Sequence, residues 1–466
     1  MLAALLFAPP PATAADPVPG ADFTLTLLHN NDGESQLVNA GSGLEDFGGV
    51  ARFKTLVDGL RADAAANGNG VLMLSSGDNF LAGPEFNASL ENGIPFYDAL
   101  AIEAIGYDAI SLGNHDFDFG PDVLAQFLSS YSSAPPYLSA NLDFSGEPAL
   151  QAFVDSGVIS ASTVVTTAGE DVGIVGAITT GLRSISSPRN VVIDFNLVAA
   201  IQTEIDALVA SGVNKIVLIS HLQGIDEDIA LLAELSGVDV AIAGGGDELL
   251  ANPGDPLVPG EEGDVFGAYP LTATDADGND VPVVTTPGEY KYVGQLSVGF
   301  DADGNVIGVG ADSGPKVVDG TIVADPTLQT TVVDPVVAAI EDLDATVLGT
   351  SEVALDGTRT GVRSVETNEG NLIADALRWQ AGDLAADFGV PVPDVGIQNG
   401  GGIRNNTVID AGDITVLDTF DMVPFGNFVS VVPDVPRDQF KEILENAYSN
   451  VPGDGRFAQI SGFSVV

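Results

Sequence analysis

The residues best suited to chemistry occur together as Gly113-Asn114-His115-Asp116-Phe117-Asp118. Asn114 offers a neutral oxygen to a cation. His115 can donate a proton or a hydrogen bond to a phosphoryl oxygen. Asp118, three residues on, can hold that imidazole in its charged, donating form. Alone, an Asn-His-Asp string is often only a polar turn. Here Asp32, Asp78, Asn114 and His221 all follow apolar runs, and the order D…GD…GNH…H suits a two-metal hydrolase. Asp78 follows a glycine, Gly77, which lets the backbone turn closely, so its carboxylate can bridge two ions.

These residues need elements that bring them to one place. From Phe23 to about Gly310 the chain alternates short apolar runs with helical patterns. Phe23 to Leu28, Gly70 to Leu74, Val172 to Gly176, Lys215 to Ile219 and Val238 to Ile242 read as strands, and Val198 to Ala210 as a helix. Continuous apolar runs suit strands buried on both faces. The class is α/β, a layered sandwich. Polar residues follow the strands: His29 to Glu34, Ser75 to Asn79, Ser220-His221, and Gly244 to Glu248. Ligands in such sheets bind beyond the carboxyl ends of strands, so these loops are expected to converge. Two DxDG stretches, Asp275 to Asn279 and Asp301 to Asn305, lack a glutamate at the twelfth loop position of a calcium hand and read as hairpin turns. Residues 319–345, with Pro326 and a short helix from Val337 to Leu343, read as a connector between a domain at 22–318 and a smaller α+β domain at 346–466.

The chain has 466 residues, enough for two domains with separate cores. Lys+Arg number 15 against 66 Asp+Glu, a formal charge of −51, which argues against a nucleic acid polymer as partner. An anionic substrate must be drawn in locally, by metals and a few arginines. There is no cysteine, which excludes thiol chemistry and disulfides. Residues 1–15 read as a secretory signal peptide without its basic start: an apolar Met1 to Phe7, prolines at 9–11, and small residues before Asp16. A secreted location is therefore expected, periplasmic or at the cell surface. No stretch approaches the roughly 20 apolar residues of a membrane span.

Leu28-His29-Asn30-Asn31-Asp32, Ser76-Gly77-Asp78, Gly113 to Asp118 and Ser220-His221 resemble the blocks of calcineurin-like metallophosphatases. Asn399-Gly400-Gly401-Gly402-Ile403-Arg404 and Pro424-Phe425-Gly426-Asn427 resemble the C-terminal domain of 5′-nucleotidases and UDP-sugar hydrolases. The resemblance implies that Asp32 ligates one metal, Asp78 bridges two, and Asn114 and His221 ligate the second. It implies that His115 and Asp118 stabilise the phosphoryl transition state. Arg404, Arg359 and Arg363 match substrate-phosphate contacts, and Asn399 and Phe425 match nucleoside contacts, with Phe425 stacking on the base. His29 would support the site without ligating.

The chain departs from the family pattern in three places. Asp32-Gly33-Glu34 replaces Asp-x-His. Gly245-Gly246-Asp247-Glu248 stands where the family has Gly-Gly-His-x-Gln or Gly-Gly-His-x-Asn, with Gly246 in the place of the histidine. The chain also stops where the family would supply a second aromatic, so the C-terminal domain reads as incomplete. The expected metal shell is then Asp32, Glu34, Asp78, Asn114 and Glu248, with His221 the one nitrogen ligand. Two divalent ions are expected, with Mn²⁺, Ca²⁺ or Mg²⁺ favoured over Zn²⁺. The expected activity is release of phosphate from nucleoside 5′-phosphates. The alternatives are a broad phosphomonoesterase or phosphodiesterase, a UDP-sugar hydrolase, or a secreted nucleotide- or calcium-binding protein without turnover.

Overall fold

The apolar runs become two facing sheets in the computed structural model, which describes residues 17–425 and 429–465; the expected signal peptide lies outside the described residues. The chain divides into two compact units. One comprises the residues up to Leu81 and Ala88–Val337, the other Ala82–Asn87 and Ala338–Val466.

In the first unit, strands Phe23–Asn30, Gly70–Ser75, Ala109–Ser111, Tyr137–Leu138 and Ile159–Ser160 run parallel, and Tyr292–Phe300 joins Phe23–Asn30 antiparallel. The second sheet is built on parallel strands Glu170–Ile178, Ile216–His221, Val240–Gly244 and Asp280–Val284, closed at both edges by antiparallel partners. Leu25, Leu27, Leu72 and Leu74 of one sheet share a core with Val175, Ala177 and Leu218 of the other. Each such leucine or valine contributes about 1.5–3 kcal/mol on burial. Gly176 lets the sheets approach, since a Cβ there would overlap Leu138. The runs are uninterruptedly apolar because these strands are covered on both faces.

Both DxDG stretches close hairpins. Asp275 Oδ1 accepts the N–H groups of Asp277 and Asn279, and Asp301 Oδ1 those of Asp303 and Asn305. Their carboxylates are satisfied by their own turns. The helix expected from Val337 is longer, Asp334–Ala345, and the division between units falls inside it. Its start is hard to place from sequence because Thr330, Thr331 and the β-branched run at 332–333 are weak helix formers; a π turn, Gln329–Val333, carries the chain through them.

The second unit pairs its strands antiparallel in twos: Val347–Ser351 with Gly412–Thr415, Leu355–Asp356 with Val408–Ile409, and Gly396–Asn399 with Ala458–Ser461. Its long helix, Asn368–Phe388, is capped by Thr367, whose hydroxyl accepts Gly370 N–H, and stops at Gly389 with φ 65°. Leu355, Val362, Ile373, Ile403 and Met422 form its core. No described helix is long and apolar enough to cross a membrane.

Candidate metal centre and anion pocket

Parallel strands that end in register deliver their following residues to the same level. Asn30 pairs with Ser75, Ser75 with Ile110, and in the other sheet His221 with Gly244. Asp32 N–H donates to Gly77 O at 2.9 Å and Glu34 N–H to Asp78 O at 3.0 Å, so the first two loops are stitched together. Asp32, Glu34, Asp78 and Asp247 all have positive φ, between 49° and 56°. Left-handed backbone at non-glycine residues costs about 1–3 kcal/mol each and persists where the surroundings enforce it. Four such carboxylate residues around one point mark a site whose side-chain directions are held against local strain.

Asp32, Asp78 and His221 each offer a ligand atom within 4.8 Å of the other two, and all three are buried. His221 Nδ1 donates to Ser76 O at 2.8 Å, which fixes the tautomer and aims Nε2 inward. Nε2 then lies 2.9 Å from Asp78 Oδ2, 3.9 Å from Asp32 Oδ1 and 3.1 Å from Asn114 Oδ1. Asp78 Oδ1 accepts the backbone N–H of His115 at 2.8 Å, and Asp32 Oδ2 that of Gly245 at 2.9 Å. Gly113 is obligatory here, because a Cβ would overlap Asp78 Oδ1.

The electrostatics record surplus negative charge. Burial pushes Asp32 up to about 7, and Asp78 and Asp247 add to it against the pull of His221. Burial, then Asp32 and Asp247, raise Glu34 well above the carboxylate range. Burial also works against Asp78, but His221 and His115 outweigh it and hold it low. Buried carboxylates arranged in this way, around an imidazole with its outer nitrogen already tied down, fit a divalent cation.

His115 sits at the rim, on the short 3-10 helix His115–Phe117. Its Nδ1 donates to Asp118 Oδ2 at 2.6 Å, and its Nε2 lies 4.0 Å from Asp78 Oδ2. Burial lowers its pKa, but Asp78 and Asp118 reverse this and raise it to about 10. Nε2 faces the cluster, whose carboxylates favour the charged ring. Asp118 Oδ1 accepts from Ser186 Oγ at 2.8 Å.

The two carboxylates expected as added ligands, Glu34 and Glu248, part company. Glu34 is half-buried, acts on His115 and is itself raised by burial and by Asp32, Asp247 and Asp78. Glu248 instead accepts the N–H of Ile225, at the start of helix Ile225–Leu232, at 3.0 Å. Its neighbour Asp247 is the residue whose charge acts on Asp32 and Glu34. Gln223 also reaches the site, donating to Asn114 Oδ1 at 2.5 Å. Neither Asp247 nor Gln223 is among the site residues expected from the sequence, although each lies within two residues of one that is. His29 stays clear of the cluster, buried with its Nε2 2.8 Å from Tyr269 Oη.

In the second unit the arginines gather. Arg363 is depressed by burial and by the charges of Arg359 and Arg404, and its Nε has no hydrogen-bond partner among the described residues. Arg404 Cζ lies 5.3 Å from the centroid of Phe425. Three mutually repelling cations, one with a buried free donor, suit an anion. Gln459 braces the loop: Nε2 donates to Val362 O at 2.9 Å and Val365 O at 2.8 Å, and Oε1 accepts Thr367 N–H at 3.1 Å. No local pattern in the chain signals that brace. Asn399 stands nearby in the chain, at the end of strand Gly396–Asn399, with Nδ2 donating to Gly455 O at 3.4 Å.

Comparison with known proteins finds 5′-nucleotidases among the relatives of this chain. The 5′-nucleotidase C-terminal domain family profile matches residues 347–466. The 5′-nucleotidase of Diplobatis ommata is 32% identical over 96% of this chain and 74% of its own length. The 5′-nucleotidase of Bos taurus is 32% identical over 95% of this chain and 75% of its own length. The solved structure of a 5′-nucleotidase precursor from Thermus thermophilus matches with a TM-score of 0.70 at 32% identity, covering 94% of this chain and 81% of that one.

Proposed function

The chain belongs to the 5′-nucleotidase family, a family of phosphoester hydrolases, and from that premise we propose that it is a secreted enzyme releasing phosphate from nucleoside 5′-phosphates with two divalent ions. The buried Asp32–Asp78–His221 cluster, with the His115–Asp118 pair at its rim, supports this most directly. Asp32, Asp78, Asn114 and His221 would hold the ions, with Glu34 and Asp247 adding oxygen ligands or charge. When bound, such ions lower the pKa of water and polarise phosphoryl oxygens.

The residues around them have separate tasks. His115 Nε2–H donates to a phosphoryl oxygen as negative charge develops there, and Asp118 holds the ring in the orientation that allows it. Arg359, Arg363 and Arg404 bind the anionic part of the substrate. Phe425 offers a face to the base, and Asn399 a polar contact to the nucleoside. On this proposal the catalytic and metal residues belong to 22–318 and the substrate residues to 346–466.

Phosphate release tests the proposal. The protein is stripped with chelator, ions are re-added singly, and nucleoside monophosphates, sugar phosphates, an aryl phosphate and a diester are compared. Activity should vanish on stripping, return on nucleoside 5′-monophosphates, and return better with Mn²⁺, Ca²⁺ or Mg²⁺ than with Zn²⁺, because oxygen donors outnumber the single imidazole. Activity confined to diesters would overturn the substrate assignment, and full recovery with Zn²⁺ alone the metal preference.

Arg404→Ala supplies a second test. It should raise KM at least about tenfold, the loss of roughly one charge-assisted contact, for AMP and for a small aryl phosphate alike, because both present the same phosphate. A KM near the parent's on both substrates would remove Arg404 from phosphate binding.

A further inference from the structure

We infer that Ser186 is a positioning residue for the His115–Asp118 pair, holding the Asp118 carboxylate in the one plane that serves His115. This rests on the proposed role of that pair in turnover. A carboxylate presents two oxygens and rotates about a soft bond. In Asp118 both oxygens are engaged: Oδ2 by His115 Nδ1 at 2.6 Å and Oδ1 by Ser186 Oγ at 2.8 Å. The hydroxyl donates, so it fixes the carboxylate plane without competing for the oxygen that faces the imidazole. A partly exposed carboxylate with one contact would otherwise sample orientations that release the ring.

Ser186 is 68 residues from Asp118 in the chain, and its segment is built to reach it. Its N–H closes helix Leu182–Ile185 onto Leu182 O at 2.9 Å. Beyond it, Arg189 Nη1 pairs with Asp122 Oδ2 at 2.6 Å, and the guanidinium lies against Gly120, where a Cβ would meet it at 2.8 Å. Asn190 N–H and Nδ2 both donate to Glu147 Oε1, at 2.9 and 3.0 Å. Arg183 Nη2 donates to Val191 O at 2.7 Å. The segment from 183 to 191 is thus a strap laid on the helix start after Gly120 and pinned at several points that do not involve the Ser186 hydroxyl. Removing that hydroxyl frees the Asp118 carboxylate and leaves the strap in place.

The test uses the metal-loaded full chain with AMP. Ser186→Ala should lower kcat about tenfold, as loss of an orienting partner commonly does, with KM, metal content and Tm near those of the parent. Ser186→Thr keeps the hydroxyl and should restore kcat to within about threefold. In an Asp118→Ala background, Ser186→Ala should cost nothing further, because the group it orients is gone. The inference falls if Ser186→Ala leaves kcat within about twofold of the parent, if its effect is as large without Asp118, or if threonine fails as alanine does. His115→Ala in the same assays separates the two ideas. If it lowers kcat by about 10² or more while Ser186→Ala stays within about twofold of the parent, only the role of Ser186 is lost; if it too is silent, the pair has no part in turnover and the proposed mechanism fails at that point.

Discussion

His115→Ala is expected to lower kcat by about 10² or more while the protein keeps its metal ions. The expectation follows from how the residue is used twice. Its imidazole points Nε2 at the cluster from 4.0 Å with Nδ1 tied to Asp118, an arrangement that suits a donor to substrate. Its backbone N–H donates to Asp78 Oδ1 at 2.8 Å, and alanine retains that bond. The Asp78 carboxylate should therefore stay where it is. Metal content after dialysis and kcat on AMP are the measurements. A variant that loses its metals, or that turns over normally, would show that His115 has a different job.

Asp78→Asn is expected to cost more, on the order of 10³-fold in kcat, or about 4 kcal/mol, and to lose bound metal. Asp78 is 1% exposed, with one oxygen held by His115 N–H and the other 2.9 Å from His221 Nε2, at the centre of the candidate cluster. Asparagine keeps the shape and can still accept the His115 N–H, so the fold should persist. Removing one negative charge also eases the crowding that raises Asp32. The metal-free variant should thus melt near the metal-free parent, whereas the added ions stabilise the parent alone, since a ligand stabilises only the state that binds it. Thermal melts with and without Mn²⁺ separate these cases. An asparagine variant that is stabilised by Mn²⁺ as strongly as the parent would remove Asp78 from the metal centre.

The two carboxylates expected as added metal ligands show where the sequence stops being legible. Glu34 stands in a histidine's place and Glu248 two residues beyond Gly246, which stands in the other, each in a polar loop after a strand. The tertiary structure turns Glu248 to the Ile225 N–H and leaves Asp247, with its φ of 56°, as the charge acting on Asp32 and Glu34. A shift of one position reverses the direction of a side chain, and nothing local in Gly-Gly-Gly-Asp-Glu decides it.

What the sequence determined by itself was local. Apolar runs bounded by polar residues announced the strands, and the polar residues after them announced a site, because strands buried on both faces leave only their ends to water. The Asn-His-Asp-Phe-Asp spacing places Asp118 beside the His115 ring within a single turn, so that pair was readable without a fold. The gathering of Asp32, Asp78, Asn114 and His221 followed from parallel strands ending in register. What only the tertiary structure decided was contact between distant segments: Gln223 on Asn114, Gln459 under the Arg363 loop, and Ser186 on Asp118. Serine and glutamine are common in turns and surfaces, and their hydroxyls and amides bond to whatever lies opposite. Their role is set by the partner that folding brings within about 3 Å, and the chain carries no local pattern for it.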